Sequence, residues 1–270
     1  MDYSRKNCAV TGGAGFIGSK LSAQLKVAGA NVIQLAGDVR DMAGLRAQFS
    51  HSIDYVFHFG SPSSQVLFGR NTPYCVDATI SGFINLMTMC RRYGSKLIYP
   101  STGLIAQGNY NPYARCKKVL EDMHLNSDLD ALGLRIYAAY GPGESHKRDY
   151  ASVVHLFTRD ILNGIRPTIF GDGLQTRDFI YIDDLVRNIL ILADRCDEKI
   201  VEVGSGNPIS FNEVVSIIKQ ETGSSIDPKY IPKPMEYYDD TICDVKVQMR
   251  FCPQNETSLC DGIRLTIKSL

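Results

Sequence analysis

Short apolar runs alternate with helix-length amphipathic segments along about the first 140 residues of the chain. The runs are rich in β-branched and aromatic residues, and the segments between them repeat apolar residues with the 3.6-residue period of a helix. Strands that alternate with helices predict βαβ units and a parallel sheet covered on both faces. The expected fold class is therefore α/β, a doubly wound parallel sheet. The strand candidates include "NCAVTG", "NVIQLAG", "IDYVFHFGS", "KLIYPST" and "ALGLRIYAAYG".

The pattern changes after "GPG" at residues 141–143. Helical segments and short strands are separated there by Gly/Pro turns, which is typical of a smaller mixed α/β lobe. We therefore predict a first domain over residues 1–142 and a second lobe over most of 143–270. The apolar segment 174–204 is expected to return to the first domain.

The 29 basic and 29 acidic residues are interspersed and cancel, which argues against a nucleic-acid or anionic-membrane partner. No apolar run approaches the ~20 residues that span a bilayer, and the first residues lack a secretory apolar region. The eight cysteines form no C-x-x-C pair and have no clustered histidines, so no metal site is expected. These features predict a cytoplasmic protein with reduced thiols.

The most specific local motif is the glycine loop "VTGGAGFIGS", residues 10–19, between the first strand and the first helix. Glycines in this context permit a tight turn and let backbone N–H groups and a helix N-terminus approach a pyrophosphate. The loop predicts a Rossmann-type domain that binds a dinucleotide. It matches G-x-G-x-x-G through Gly13, Gly15 and Gly18, and T-G-x-x-G-x-x-G through Thr11, Gly12, Gly15 and Gly18.

The acidic residue that usually grips the adenosine ribose is not at the end of the second strand, where Ala36 stands. Asp38 lies near the expected spacing, 20 residues beyond Gly18, but it also suits a later loop. No arginine follows the strand directly to meet a 2′-phosphate, which favours NAD. Arg40 keeps NADP as an alternative.

Tyr113 and Lys117 are one helical turn apart in "GNYNPYARCKKVLED", residues 108–122. By itself this spacing fits either a proton-transferring pair or an aromatic residue and a cation on a solvated helix. Chance predicts somewhat less than one such spacing in a chain with this many tyrosines and lysines, and this chain contains one. Other motifs must decide between the two.

Together with the glycine loop, Tyr-x-x-x-Lys roughly 100 residues later resembles the extended short-chain dehydrogenase/reductase family of nucleotide-sugar epimerases, dehydratases, decarboxylases and reductases. The resemblance covers nearly the whole chain and implies a Rossmann-type domain, NAD as cofactor and a smaller substrate-binding lobe. Further segments that carry it are "GDVRD", "VFHFGS", "YPSTG", "LRIYAAYGPG" and "IFGDGLQTRDFIYIDDL".

The resemblance assigns Thr102 as the catalytic hydroxyl, Tyr113 as the acid/base and Lys117 as the residue that binds the nicotinamide ribose. A free tyrosine has a pKa near 10, and a neighbouring ammonium and a positive nicotinamide favour its phenolate. Tyr113 could then take a proton from a sugar hydroxyl while the same carbon loses hydride.

The resemblance also implies two sets of binding residues. Arg177 matches an arginine that grips the substrate diphosphate, a task suited to a planar bidentate donor. The expected cofactor-binding residues are Gly12, Gly15, Phe16, Ile17, Gly18, Asp38, Val39, Phe59, Gly60, Ser61, Tyr113, Lys117 and Tyr137. The expected substrate-binding residues are Ser63, Thr102, Tyr113, Arg177 and Lys233.

Three positions depart from the family pattern. Ala138 and Thr79 stand where asparagines are usual, and near the C-terminus only Lys233 stands near an expected arginine. The residues after Thr102 are Gly103 and Leu104, which cannot move a proton. Family dehydratases and decarboxylases carry acids there, so both lyase reactions are disfavoured.

The resulting prediction is an NAD-dependent epimerase, at C4, that acts through a transient keto-sugar. The main alternative is an NAD(P)H-dependent keto-sugar reductase. A sugar-nucleotide dehydratase or decarboxylase and a non-catalytic nucleotide-binding protein are less favoured alternatives. The expected substrate is a UDP-, dTDP- or GDP-linked sugar. The family further implies a homodimer through the helices "ISGFINLMTMC" and "ARCKKVLEDMHL".

Overall fold

A computed structural model of the chain describes residues 2–49, 52–108, 111–234, 237–253 and 255–270. The fold is α/β, as the alternating pattern predicts. The chain divides into two compact units. The first comprises residues 1–136, 186–201 and 250–252, and the second comprises residues 137–185, 202–249 and 253–270.

The first unit is built on a six-stranded sheet with the order β2-β1-β3-β4-β5-β9. The pairs β1/β2, β1/β3, β3/β4 and β4/β5 are parallel, so the carboxyl ends of these strands share one edge of the sheet. The order reverses at β1, which puts the glycine loop at the point where doubly wound sheets bind ligands. The strands are β1 (Asn7–Thr11), β2 (Asn31–Gln34), β3 (Tyr55–His58), β4 (Lys96–Thr102), β5 (Ala131–Ile136) and β9 (Ile200–Val203).

Helices connect these strands and cover the sheet. The longest, α4, begins after Asn71, whose side chain accepts from the Tyr74 N–H at 3.2 Å, and it has Pro73 in its first turn. It ends at Gly94, which adopts a left-handed φ of 71°. The helices are α1 (Phe16–Val27), α2 (Met42–Gln48), α3 (Gln65–Arg70), α4 (Thr72–Tyr93) and α5 (Pro112–Leu125), with α7 (Ile182–Arg195) entering the unit later in the chain.

One large apolar cluster fixes these helices to the sheet. Strand residues Val56 and Leu97 are fully buried against Phe83 and Leu86 of α4 and Leu120 of α5. Burial of apolar side chains of this size stabilises by about 1.5–3 kcal/mol each. The core therefore sets where α5, which carries Tyr113 and Lys117, lies on the sheet.

The second unit contains two small sheets and its own helices. One sheet has the order β10-β8-β6, with β10/β8 antiparallel and β6/β8 parallel, and the other pairs β11 with β7. The strands are β6 (Ala138–Tyr140), β7 (Thr168–Phe170), β8 (Thr176–Tyr181), β10 (Pro208–Ser210) and β11 (Lys229–Ile231). The helices are a 3₁₀ segment (Ser145–Tyr150), α6 (Val153–Leu162), α8 (Phe211–Thr222), α9 (Lys246–Phe251) and α10 (Leu259–Lys268).

Three local predictions were wrong or incomplete. The run "ALGLRIYAAYG" is two strands in different sheets, because the chain leaves the large sheet after Ile136 and pairs again from Ala138. Helix α3 was missed, and α4 begins eight residues before the expected helix "ISGFINLMTMC". The first turns of α4 carry no marked apolar periodicity and are capped by a polar residue. The short elements β9, β10, β11 and α9 were also missed, since each is near the minimum length for a recognisable pattern. Helix α10, ten residues long, was missed as well.

Among the described residues, no helix is long and apolar enough to span a bilayer, and no His/Cys/Asp/Glu group is arranged to hold a metal ion. All eight cysteines are free thiols.

Candidate active site

The glycine loop passes so close to neighbouring backbone that side chains cannot be accommodated at two positions. A Cβ on Gly12, whose φ is 69°, would lie 2.5 Å from the carbonyl carbon of Phe59. A Cβ on Gly18 would lie 2.1 Å from the carbonyl oxygen of Gly12. The loop therefore presents backbone at the start of α1, as a pyrophosphate requires.

Beyond the loop, a cavity of about 420 Å³ opens at the carboxyl edge of the sheet. Four of the predicted cofactor residues line it, which places parts of "GDVRD" and "HFGS" on one surface. Its size and position suit part of a dinucleotide. The lining residues are Gly37, Asp38, Val39, Gly60, Ser61, Pro62, Tyr74 and Ala78.

Asp38 is not a free carboxylate. The Arg40 guanidinium donates to both of its oxygens, at 3.0 Å from Nε and 2.5 Å from Nη2, and these bonds hold the pKa of Asp38 below its usual value. Arg40 also pairs with Asp77 at 2.7 Å and lies over the Tyr74 ring. Arg40, the residue that left NADP as an alternative cofactor, is thus shared between two carboxylates.

A buried polar pair anchors the end of β3. Thr11 Oγ1 is 2.8 Å from His58 Nδ1 and accepts from the Gly60 N–H at 3.0 Å. Burial, and to a lesser degree the Lys117 ammonium, lowers the pKa of His58 to about 3, so the imidazole is neutral. Through Thr11, the neutral ring stabilises the turn that leads to Ser61.

Lys117 lies inside the first unit with only 1% of its surface exposed. Its ammonium donates to Ser61 Oγ at 3.0 Å and lies 5.9 Å from the centre of the Tyr113 ring. Burial lowers the pKa of Lys117 to about 8. The structure thus brings the predicted Tyr/Lys pair together with the predicted Ser61.

Tyr113 is half-buried, and its ring packs edge-on against Phe68 of α3 with centres 5.5 Å apart. It lies in the first turn of α5, which Asn111 caps by accepting from the Ala114 N–H at 2.9 Å. Thr102 is the last residue of β4 and is 5% exposed, with Oγ1 accepting from the Leu104 N–H. Since β3 and β4 are parallel neighbours, Thr102 at the end of β4 and Ser61 just after β3 lie at the same edge of the sheet.

A charged network beneath α5 was missed at the sequence level. Glu121, 0% exposed, accepts from Ser101 Oγ at 2.6 Å and from Arg135 at 2.9 and 2.8 Å. Ser101 precedes Thr102 on β4, and Arg135 lies on β5. The available signal was spacing, because Tyr113, Lys117 and Glu121 recur every four residues and so share one helix face. The network fixes α5 to the strand that carries Thr102.

The remaining predicted residues of the first unit flank these features. Phe16 is buried and Ile17 half-buried at the start of α1, with Gly15 as its N-cap residue. Phe59 donates its N–H to the Thr11 carbonyl at 3.2 Å. Ser63 is exposed in the turn before α3.

Three predicted residues belong to the second unit, and each already has protein partners. Tyr137 donates to Glu202 at 2.8 Å, and Lys233 pairs with the Asp239 carboxylate. Arg177 donates to the backbone carbonyls of residues 176, 238 and 239, and three aromatic rings surround its guanidinium. The rings are those of Phe211, Tyr237 and Tyr238, with centres 5.3–5.4 Å away.

Residues 8–204 match the sequence profile of the NAD dependent epimerase/dehydratase family, so the match covers the glycine loop, the strand ends and the Tyr/Lys helix. The chain belongs to this family. The predicted family resemblance is confirmed, and NAD is the cofactor that the glycine cradle and the adjacent cavity fit.

Several known proteins are similar to this chain over most of its length. A putative UDP-glucose 4-epimerase of Methanocaldococcus jannaschii is 29% identical and covers 96% of both chains. A UDP-glucuronic acid decarboxylase of Arabidopsis thaliana is 24% identical over 84% of this chain and 78% of its own. The crystal structure of a Thermotoga maritima UDP-glucose 4-epimerase with UDP-glucose is 27% identical, superimposes with a TM-score of 0.89 and covers 97% of this chain and 98% of its own.

Proposed function

We propose that the chain is an NAD-dependent nucleotide-sugar epimerase that inverts C4 of a UDP-linked sugar. The observation that carries this proposal is the constellation of Tyr113, buried Lys117 and Ser61 at the sheet edge that also holds the glycine cradle and Thr102. Similarity to UDP-glucose 4-epimerases supports the substrate class.

In this proposal, Tyr113 takes the proton of the sugar hydroxyl and later returns it, while Thr102 hydrogen-bonds the same oxygen and holds it in line. When bound, NAD supplies a nicotinamide ring that accepts and returns a hydride. Lys117 keeps an ammonium beside the phenol, which favours the phenolate that removes the proton. Its fixed contact with Ser61 orients that charge before substrate binds.

The sequence after Thr102 favours epimerisation over elimination or decarboxylation. The residues that follow, "GLIAQG" at 103–108, contain no acid, and the nearby Glu121 carboxylate is bound by Arg135 and Ser101. A carboxylate engaged by both of these partners is not free to act on the sugar. We therefore do not propose decarboxylation, although decarboxylases are among the similar proteins.

We assign substrate binding to Ser63, Arg177 and Lys233 as part of the same proposal. The guanidinium of Arg177 retains donor capacity beyond its three carbonyl contacts, and a planar donor suits a diphosphate oxygen. We also propose residues 1–142 and 174–204 as the cofactor domain and most of 143–270 as the substrate lobe.

We further propose a homodimer formed through α4 and α5. These helices expose Ile84 and Val119, with 44% and 36% of their surfaces accessible. Two apolar helix faces side by side suit a symmetric four-helix contact. The eight free thiols suit the reducing cytoplasm, and a UDP-sugar product suits polysaccharide biosynthesis.

The function is tested by incubating the purified protein with UDP-, dTDP- and GDP-sugars without added cofactor, followed by NMR of the products. We expect C4 epimers of a UDP-sugar, formed with the NAD that the protein retains. Turnover that requires added NAD(P)H and a keto-sugar would establish a reductase instead. Release of water or CO₂ would establish a lyase.

A further inference from the structure

Gln34 lies across the glycine loop at the edge of the cofactor site. It is the last residue of β2 and pairs in register with Val10, the residue just before the loop turns. A Cβ on Gly13 would lie only 1.7 Å from Gln34 Oε1, so the amide occupies the space above that glycine. The side chain is exposed beside the loop, so a ligand that binds at the loop can reach its amide.

The hydrogen bonds around Gln34 fix which way its amide points. Ser22 Oγ donates its only hydrogen to the Gly18 carbonyl at 2.8 Å, so it can only accept from Gln34, whose Nε2 is 2.9 Å away. The nitrogen is thus held toward α1. Among the described parts of the chain, Oε1 has no hydrogen-bond partner.

Neither of the two positions at which a ribose-binding carboxylate is expected offers a free one. The position two residues after Gln34, on the same side of the extended chain, is Ala36. Asp38 has both carboxylate oxygens bound by the Arg40 guanidinium. In chains of this fold, a carboxylate at the end of the second strand normally binds the adenosine 2′-hydroxyl.

We propose that Gln34 Oε1 is the acceptor for the 2′-hydroxyl of the adenosine ribose of NAD. A neutral amide can accept this hydrogen bond, but it does not repel a 2′-phosphate as a carboxylate does. The chain therefore discriminates against NADP through one lost hydrogen bond rather than through charge repulsion. This assignment concerns cofactor binding only, so it does not depend on the sugar reaction.

The hydrogen bond is tested by calorimetric titration of cofactor-stripped protein with NAD and with 2′-deoxy-NAD. Wild-type protein should bind the deoxy analogue more weakly by ~2- to 13-fold, the effect of one neutral hydrogen bond. In Gln34→Leu this ratio should fall to about 1. Gln24→Leu, an exposed glutamine on α1, is the matched control and should keep the wild-type ratio.

A wild-type ratio of the two affinities in Gln34→Leu would overturn the proposal. If both ligands bind equally more weakly, so that the ratio is kept, Gln34 has only a structural role through Ser22. Gln34→Glu gives a second test if the leucine variant does not fold. Its carboxylate should raise the preference for NAD over NADP by about tenfold or more, since it repels the 2′-phosphate. An unchanged preference in that variant would also refute the assignment.

Discussion

Replacing Lys117 with methionine should stabilise the protein at neutral pH while removing a residue of the active site. The ammonium is buried, and the fall of its pKa from 10.5 to about 8 corresponds to a cost of about 3 kcal/mol for keeping it charged. The variant also loses the hydrogen bond to Ser61, which is about 1 kcal/mol. The expected net gain is about 2 kcal/mol at pH 7.

The pH dependence of this difference follows from the protons bound by each state. Between about pH 8 and 10.5 the unfolded chain keeps the Lys117 proton and the folded chain loses it, so wild-type stability rises with pH in that window. The advantage of Lys117→Met should be constant below pH 8. Above it, the advantage should shrink by up to about 1.4 kcal/mol per pH unit.

The measurement is urea unfolding of cofactor-stripped wild-type and variant protein, followed by circular dichroism at pH 7, 8, 9 and 9.5. Comparing the two proteins cancels the titration of groups that do not interact with Lys117. A difference that stays the same from pH 7 to 9.5 would refute the buried ammonium. So would a variant that is clearly less stable at pH 7, because the ionic cost would then be smaller than the packing it supports.

Three further predictions concern the reaction, the network under α5 and assembly. Tyr113→Phe should abolish turnover but keep NAD binding, because it removes only the transferable proton; product NMR and calorimetry measure the two. Glu121→Ala should lower the free energy of unfolding by about 3 kcal/mol, because it leaves the Arg135 charge without its buried partner. Ile84→Glu should convert a dimer to a monomer in light scattering, because it places a charge on the proposed apolar contact.

Each of these has a control. Near-normal activity of the phenylalanine variant would remove the acid/base assignment from Tyr113. Asp122→Ala, which breaks an exposed ion pair on the same helix, should change the stability by no more than about 0.5 kcal/mol, and an equal loss in both variants would contradict the role of burial. Val27→Glu, on the strongly exposed end of α1, should leave assembly unchanged, and a persistent Ile84→Glu dimer would move the interface elsewhere.

The sequence predicted the sheet and the cofactor loop because both depend on local patterns. Strand and helix periodicity, together with three spaced glycines, predicted the order of the strands from β1 to β5. The family resemblance supplied Tyr113 and Lys117, which spacing alone did not distinguish from a solvated helix face. Short elements such as α3 and β9 were missed, since their few residues carry no period.

The chain by itself thus determined an α/β fold, a dinucleotide site and a family. Only the tertiary structure decided what each polar side chain does with its hydrogen-bonding groups. Asp38 is engaged by Arg40, Lys117 is buried against Ser61, and Gln34 points over the loop an oxygen that has no hydrogen-bond partner within the described ranges. These outcomes depend on side-chain geometry and, for Lys117 and Ser61, on residues that are distant in sequence and adjacent in space. Burial then lowers the pKa of Lys117. No local pattern contains that information.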